Sequence, residues 1–253
     1  MKSIFGCFVV KIGMSKFPLA LVTGGAHRLG RAFCLALARR GYAILLHFHQ
    51  SADDAATTAD EIRLLGVPVY PLKADLTDTT ALCSLISTLD TLPHRLKVLV
   101  NSAAVMLRAD VRTLSVSDFD AAIALNLRAP FLCAQEAAKR MDSGGLIVNV
   151  SDVGAQKAWS GFPAYSVSKA GLESLTRLLA RSLAPKIRVN AIAPGLVLPS
   201  ENVSPVDWEK LVMRLPLKRP AAPEEIASAL VFLVENEYIT GQTIVVDGGY
   251  SLI

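Results

Sequence analysis

Tyr165 and Lys169 stand four residues apart in the run Tyr165-Ser166-Val167-Ser168-Lys169. On a helix, side chains at that spacing lie one above the other on a single face. An ammonium held there lowers the pKa of a phenol, ordinarily about 10, toward working pH. A phenol tuned in this way can give up and recover a proton, as a general acid must. The same spacing also occurs on many solvated helix faces, so it needs company. It has two companions: the glycine-rich run from Thr23 to Gly30, and the polar pair Ser151-Asp152, with Asp152 thirteen residues before Tyr165.

These groups need elements to hold them. Residues 19–22 form an apolar run of strand character, and Leu29, Phe33, Leu37 and Ala38 recur at helical spacing up to Gly41. Residues 42–48 are a second apolar run. Strand, glycine-rich turn, helix and strand make the βαβ unit that holds a dinucleotide. Its glycines let backbone approach a pyrophosphate, and the helix N-terminus offers free N–H groups.

The alternation continues along the chain. Helices are expected over residues 52–65, 79–92, 116–141 (interrupted by Pro130), 165–183 and 223–234. Strands are expected over residues 68–72, 97–100, 146–150, 187–192 and 243–246. Fully apolar strands between helices predict one α/β Rossmann-fold domain, a doubly wound parallel sheet of about seven strands with helices on both faces. No linker or repeat divides residues 17–253. Residues 1–16 read as an N-terminal extension with a second candidate start at Met14. Ligands of such sheets lie beyond the carboxyl ends of the strands, where the candidate groups from Thr23 to Pro194 converge.

Of the 253 residues, 52% are hydrophobic and 19% charged, with a formal net charge of +4. That balance predicts a large core and much surface hidden in subunit contacts. Lys and Arg are scattered, which argues against a nucleic-acid groove and favours small anionic ligands. Residues 4–10 are apolar but too short for a membrane span. Cys7, Cys34, Cys83 and Cys133 are widely spaced and have no metal-ligand spacing. They are expected to be mostly buried thiols in a reducing cytoplasm, with no metal.

From about Phe17 onward the chain resembles the short-chain dehydrogenases/reductases. The resemblance rests on the Thr-Gly-x-x-x-x-x-Gly turn at Thr23–Gly30, Asp75-Leu76, Asn101-Ser102-Ala103-Ala104 and Asn126. It extends to Tyr165 with Lys169, Pro194-Gly195 and Asp247-Gly248-Gly249. It implies a nicotinamide cofactor and a homotetramer built partly on the long helices. Tyr165 would donate the proton. Lys169 would bind the nicotinamide ribose and lower the Tyr165 pKa, while Asn126 would hold a water in a relay to Lys169. Gly24, Leu29 and Gly30 would line the pyrophosphate, Asp75 and Leu76 would meet the adenine, and Asn101, Ala103, Pro194 and Gly195 would complete the cofactor cleft.

Within that family the chain is similar to the pteridine reductases, which reduce C=N bonds of pterin rings with NADPH. Arg28 replaces a turn glycine, the second strand ends in His47-Phe48-His49-Gln50-Ser51, and Asp152 stands where most members carry serine. The resemblance puts the Arg28 guanidinium on the 2′-phosphate of NADP, a geometry arginine suits, beside His49, Gln50 and Ser51. No acid occurs between Gly41 and Ser51 to hold the ribose hydroxyls of NAD, which also favours NADP. Asp152 would orient or recharge Tyr165 and touch the substrate. Ala104 and Met106 depart from the serine and stacking aromatic of that branch, and Gln50 from its arginine. Methionine can still pack on a flat ring.

Two other readings stay open: a carbonyl reductase acting on a ketone, and a non-catalytic NADP(H)-binding regulator. The intact Tyr165, Lys169 and Asn126 argue against the regulator. Blander roles also exist for single residues. Asp75 could neighbour a helix cap at Thr77, Asn101 could be a strand-end turn residue, and His47 a satisfied core histidine. His27 and His49 could make ordinary polar contacts, and His94 gets no role. Trp159 and Trp208 are expected as lid or packing aromatics, and residues 202–214 as the substrate loop and its helix.

Overall fold

Successive strand residues point to opposite sides of a sheet, and in this chain both sets are apolar. Ala20, Val22, Ile44, Leu46, Val98, Val100 and Val148 join one buried cluster, and Leu19, Leu21, Leu45, Leu99, Ile147 and Val189 the other. The sheet is therefore covered on both faces. A computed structural model describes residues 15–157, 159–200 and 203–253. Residues 1–14 of the expected extension, with Cys7 and Met14, lie outside the described residues. The Ser15 N–H already donates to the Pro93 carbonyl, so the packing includes residues just before Phe17.

In chain order, β1 (Leu19–Thr23), α1 (Arg28–Ala38), β2 (Ala43–Phe48), α2 (Ala52–Leu64) and β3 (Val69–Lys73) form the first half. Then come α3 (Thr79–Ser87), β4 (Leu96–Asn101), α4 (Val116–Ile123), α5 (Ala129–Ala138) and β5 (Gly145–Val150). The chain closes with α6 (Gly154–Lys157), α7 (Pro163–Leu183), β6 (Ile187–Pro194), α8 (Pro205–Arg214), α9 (Pro223–Glu235) and β7 (Thr243–Val246). All seven strands run parallel in the order β3-β2-β1-β4-β5-β6-β7. α1, α2 and α9 pack on one face, and α3, α5 and α7 on the other. The order reverses between β1 and β4, which opens a crevice at the strand carboxyl ends.

Several expected boundaries shift for local reasons. The pattern over 116–141 breaks before Pro130, in a π-helical turn over Ala124–Arg128. Proline has no N–H to return to the carbonyl four residues back, here that of Asn126. The Ala129 N–H reaches five residues back, to Ala124, and the extra residue absorbs the mismatch. α3 ends at Ser87 and tightens to a 3₁₀ turn over Thr88–Thr91 instead of running to 92. Its cap is Asp78, which accepts the Thr80 N–H at 2.8 Å, and not Thr77. α7 starts at Pro163, two residues before the expected 165, because the fixed φ of proline suits a first helical turn. Cys34 and Cys133 are buried as expected, whereas Cys83 is exposed.

Candidate active site

The turn after β1 is built around a close approach of backbone to backbone. A Cβ on Gly30 would lie 1.9 Å from the Gly24 carbonyl oxygen, and one on Gly24, at φ 65°, would lie 3.0 Å from Ala103 Cα. Thr23 Oγ1 accepts the N–H groups of Ser102 and Ala103 at 2.9 and 3.1 Å, locking the ends of β1 and β4 together. His47 supports the turn from β2. Its Nδ1 accepts the Gly24 N–H at 3.1 Å, and its Nε2 donates to the Ala74 carbonyl at 3.1 Å. Burial pushes its pKa down to about 4, so it stays neutral in this role. It is the satisfied core histidine expected from the sequence, and also a strut for the turn.

The cradle fits a dinucleotide. Among the described residues His27 puts no side-chain cap on α1 and the first turn of α1 holds no acid, which leaves the N–H groups of that helix N-terminus available to an anion. Leu29 follows at the first helical turn. Asn101 gives its amide hydrogen to Asn149 Oδ1 at 2.9 Å, but its own buried Oδ1 finds no partner among the described residues. Across the crevice Pro194 ends β6, and Gly195 lies so near Asp247 that a Cβ would come within 2.7 Å of its Cα.

Arg28 departs from its expected place. It sits at φ 51°, a left-handed backbone strained for a side chain, and its guanidinium donates to the carbonyls of Leu198 and Pro199, each at 3.0 Å. It therefore clasps the segment after β6 and does not extend to the end of β2, where a 2′-phosphate would lie. That end is formed by His49, exposed Gln50, and Ser51 at the start of α2, whose hydroxyl makes no cap bond. His49 Nε2 is 4.0 Å from Asp75 Oδ2. The other Asp75 oxygen accepts the Thr77 N–H and hydroxyl at 2.8 and 2.7 Å, which holds its pKa low. One oxygen thus serves the local turn and the other faces the crevice. The adjacent Leu76 is buried.

α7 presents the catalytic candidates. Tyr165 is 7% and Lys169 3% exposed. The Tyr165 hydroxyl donates to Asp152 Oδ2 at 2.9 Å, and Asp152 Oδ1 accepts the Gly154 N–H at 2.7 Å. Burial, and then the charge and hydrogen bond of Asp152, push the Tyr165 pKa well above that of an ordinary phenol. This corrects the expectation that Lys169 lowers it. The ammonium of Lys169 lies 5.6 Å from the Tyr165 ring and donates instead to the Val150 carbonyl at 2.7 Å. Burial lowers its own pKa to about 8 against the pull of Asp152. Burial also raises the pKa of Asp152, so both members of the pair are driven toward their protonated forms.

The Asn126 side chain is also committed elsewhere than expected. Its Oδ1 accepts the Val105 N–H at 2.8 Å, and its Nδ2 donates to the Val105 carbonyl and to Ser168 Oγ at 2.8 and 3.0 Å. It clamps the segment after β4 to α7. A water relay would have to use its main-chain carbonyl, which Pro130 leaves unserved from four residues ahead.

The substrate side is less regular. Ala104 and Met106 are exposed in the segment after β4, which is tied by the Ala109 N–H to the Gly161 carbonyl at 3.0 Å. Trp159 packs on Gly154, where a Cβ would lie 2.8 Å from its ring, and its ring centroid is 5.9 Å from that of Tyr250. Lys157 sits over the Tyr250 ring at 4.7 Å. Trp208 is half-buried on α8, and Asn202 lies outside the described residues. Tyr250 was not singled out from the sequence, though it follows directly on Asp247-Gly248-Gly249. Glu173 was missed as well. Its position four residues beyond Lys169 on one helix face was the available signal.

Residues 24–251 match the family model described as enoyl-(acyl carrier protein) reductase. The chain is 33% identical over 246 residues to 1-cyclohexenylcarbonyl-CoA reductase of Streptomyces collinus, covering 93% of this chain and 87% of that protein. It is 33% identical over 237 residues to the 3-oxoacyl-(acyl-carrier-protein) reductase of Synechocystis sp., covering 91% and 96%. Among solved structures it superposes on FolM alternative dihydrofolate reductase 1 from Brucella canis, complexed with NADP, with a TM-score of 0.89. That pair shares 35% sequence identity, and the match covers 96% of each chain.

Proposed function

Because the chain belongs to the short-chain dehydrogenase/reductase family, an NAD(P)-dependent oxidoreductase family, we propose that it is an NADPH-dependent reductase of a C=N bond in a pterin-type ring. The observation that carries this reading is the hydrogen bond from Tyr165 to Asp152. A ketone becoming an alkoxide needs one neutral donor beside it, and a second buried carboxyl is not required for that. A ring nitrogen that must accept a proton is served by a phenol whose partner can hold a proton in reserve. The likeness to the FolM structure supports the same substrate class.

The turn at Gly24, Leu29 and Gly30 would hold the pyrophosphate, and His49, Gln50 and Ser51 the 2′-phosphate. The free Asp75 oxygen and Leu76 would face the adenine, Asn101 and Ala103 the floor of the cleft, and Pro194 and Gly195 its far wall. When bound, NADPH supplies the hydride. Tyr165 Oη would donate the proton to the ring nitrogen, and a protonated Asp152 would return one to it across the same contact, the direction of the hydrogen bond reversing. Lys169 contributes the positive charge that offsets Asp152 and a donor for the cofactor ribose. Ala104, Met106, Trp159 and Tyr250 would border the ring.

The exposed apolar side chains Phe119, Phe131, Val167 and Leu178 on α4, α5 and α7 support a symmetric homotetramer. The deciding experiment is NADPH oxidation with dihydropterins and dihydrofolate beside ketones and 3-oxoacyl thioesters. Pterin turnover is expected to dominate and to vanish in Tyr165→Phe. Turnover of the carbonyl compounds alone would make the chain a carbonyl reductase, similar to the 3-oxoacyl-(acyl-carrier-protein) reductase of Synechocystis sp.. No turnover at all, with NADPH still bound, would point to the regulator.

A further inference from the structure

Glu173 lies one turn beyond Lys169 and two beyond Tyr165 on the same face of α7, and only 7% of it is exposed. A buried carboxyl costs desolvation that an apolar residue would not, so its hydrogen-bond partners indicate what it is there to hold. Glu173 Oε1 accepts from Ser151 Oγ at 3.1 Å, and Oε2 from Gln156 Nε2 at 3.3 Å. Ser151 is the residue immediately before Asp152 and is itself buried; Gln156 lies in α6, the next turn of chain. Between these two anchors Asp152 folds back to accept the Gly154 N–H, and its free oxygen points at Tyr165.

We propose that Glu173 is a positioning residue for the Asp152–Tyr165 pair, tying both ends of the segment that carries Asp152 to the helix that carries Tyr165. The inference rests on that pair being the acid pair of the site, and not on which substrate it serves. The ionisable groups beside it are Asp152 on the tied segment and, one and two turns back on the same face of α7, Lys169 and Tyr165. Of these, Asp152 also feels the Glu173 charge, which pushes it further toward its protonated form. Misplacing a reacting group by a fraction of an ångström to an ångström costs rate out of proportion to the energy involved.

The test compares Glu173→Leu, which fills the space without acceptors, with Glu173→Gln. The glutamine can still accept from Ser151 and meet a turned Gln156 amide. Tyr165 deprotonation is read as the ultraviolet difference titration between each protein and its Tyr165→Phe counterpart, which needs no substrate. In Glu173→Leu the titration is expected to move down toward that of an ordinary phenol, and kcat to fall on the order of tenfold or more with little change in cofactor affinity. Glu173→Gln is expected to restore both. A folded Glu173→Leu protein with wild-type titration and kcat overturns the proposal, as does a Glu173→Gln protein equally impaired. Should Glu173→Leu fail to fold, Ser151→Ala with Gln156→Ala removes the same two bonds and must reproduce the shift. Failure of pterins as substrates would leave the phenol titration unaffected, so the two proposals fail separately.

Discussion

The Tyr165 hydroxyl and the Asp152 carboxyl share a 2.9 Å hydrogen bond, with Tyr165 buried and Asp152 partly so. Lys169, on the same helix face, turns its ammonium to the Val150 carbonyl. In this arrangement the phenol keeps its proton, and burial drives the carboxyl beside it toward its protonated form as well. The site is an acid pair with a lysine in support, and its pH behaviour should follow from that.

Asp152 should lower the stability of the protein at neutral pH. Burial raises its pKa in the folded state above the unfolded value of about 3.9. Below that value both states hold the proton and its contribution is intact; it is lost as pH rises through the folded pKa. Asp152→Asn should therefore melt higher than the wild type at pH about 7, with the gap closing below about pH 4. Its pterin turnover should fall by about 10². Melting curves across pH check the first effect, and a gap independent of pH would count against a titrating Asp152.

Lys169 works in the opposite direction. Its folded pKa of about 8 lies below the ordinary lysine value of 10.5, so between these values the unfolded chain binds the extra proton. Stability of the cofactor-free protein should rise with pH from about 8 to about 9.5, before tyrosines titrate. The rise should be absent in Lys169→Met. Equal slopes for the two proteins in the same melting series would refute it.

Arg28 and Ser51 should separate the two ends of the cofactor. The Arg28 guanidinium is spent on Leu198 and Pro199, so Arg28→Ala should change NADPH and NADH affinity by similar factors. Ser51→Ala should weaken NADPH by about tenfold and leave NADH nearly unchanged, the loss expected for one hydrogen bond to a charged group. Fluorescence titration of both cofactors measures this. An NADPH-selective loss in Arg28→Ala would return the arginine to the 2′-phosphate.

Assembly should depend on α7. Leu178 is 60% exposed on that helix, with Val167 three turns earlier on the same side. Light scattering should give a tetramer for the wild type and a smaller species for Leu178→Glu. A wild-type monomer at micromolar concentration would remove the subunit-contact reading of this face.

What the sequence determined by itself is what local periodicity and local chemistry determine. Short, fully apolar runs, helical spacing between them and the Thr23–Gly30 turn sufficed for a parallel seven-stranded sheet with the crevice at its carboxyl ends. The Tyr165–Lys169 face was legible because four residues on a helix is a fixed geometry. Asp152 was legible as a position, thirteen residues from Tyr165, and its meeting with the phenol follows from a strand end lying beside a helix start.

The tertiary structure decided where long side chains end and what surrounds them. Arg28 has enough reach to serve either side of the crevice, and only the packed segment after β6 showed which carbonyls it meets. The direction of the Tyr165 shift depended on burial and on the Asp152 carboxyl beside it, neither of which spacing along a helix fixes. The Asn126 amide was expected to hold a water, yet its hydrogen-bonding capacity is taken by Val105 and Ser168, residues remote in sequence. Glu173 acquires its meaning only when the chain brings Ser151 and Gln156 against it. Backbone pattern is a local property of the chain, whereas the charge state and aim of a buried side chain belong to the neighbours that folding supplies.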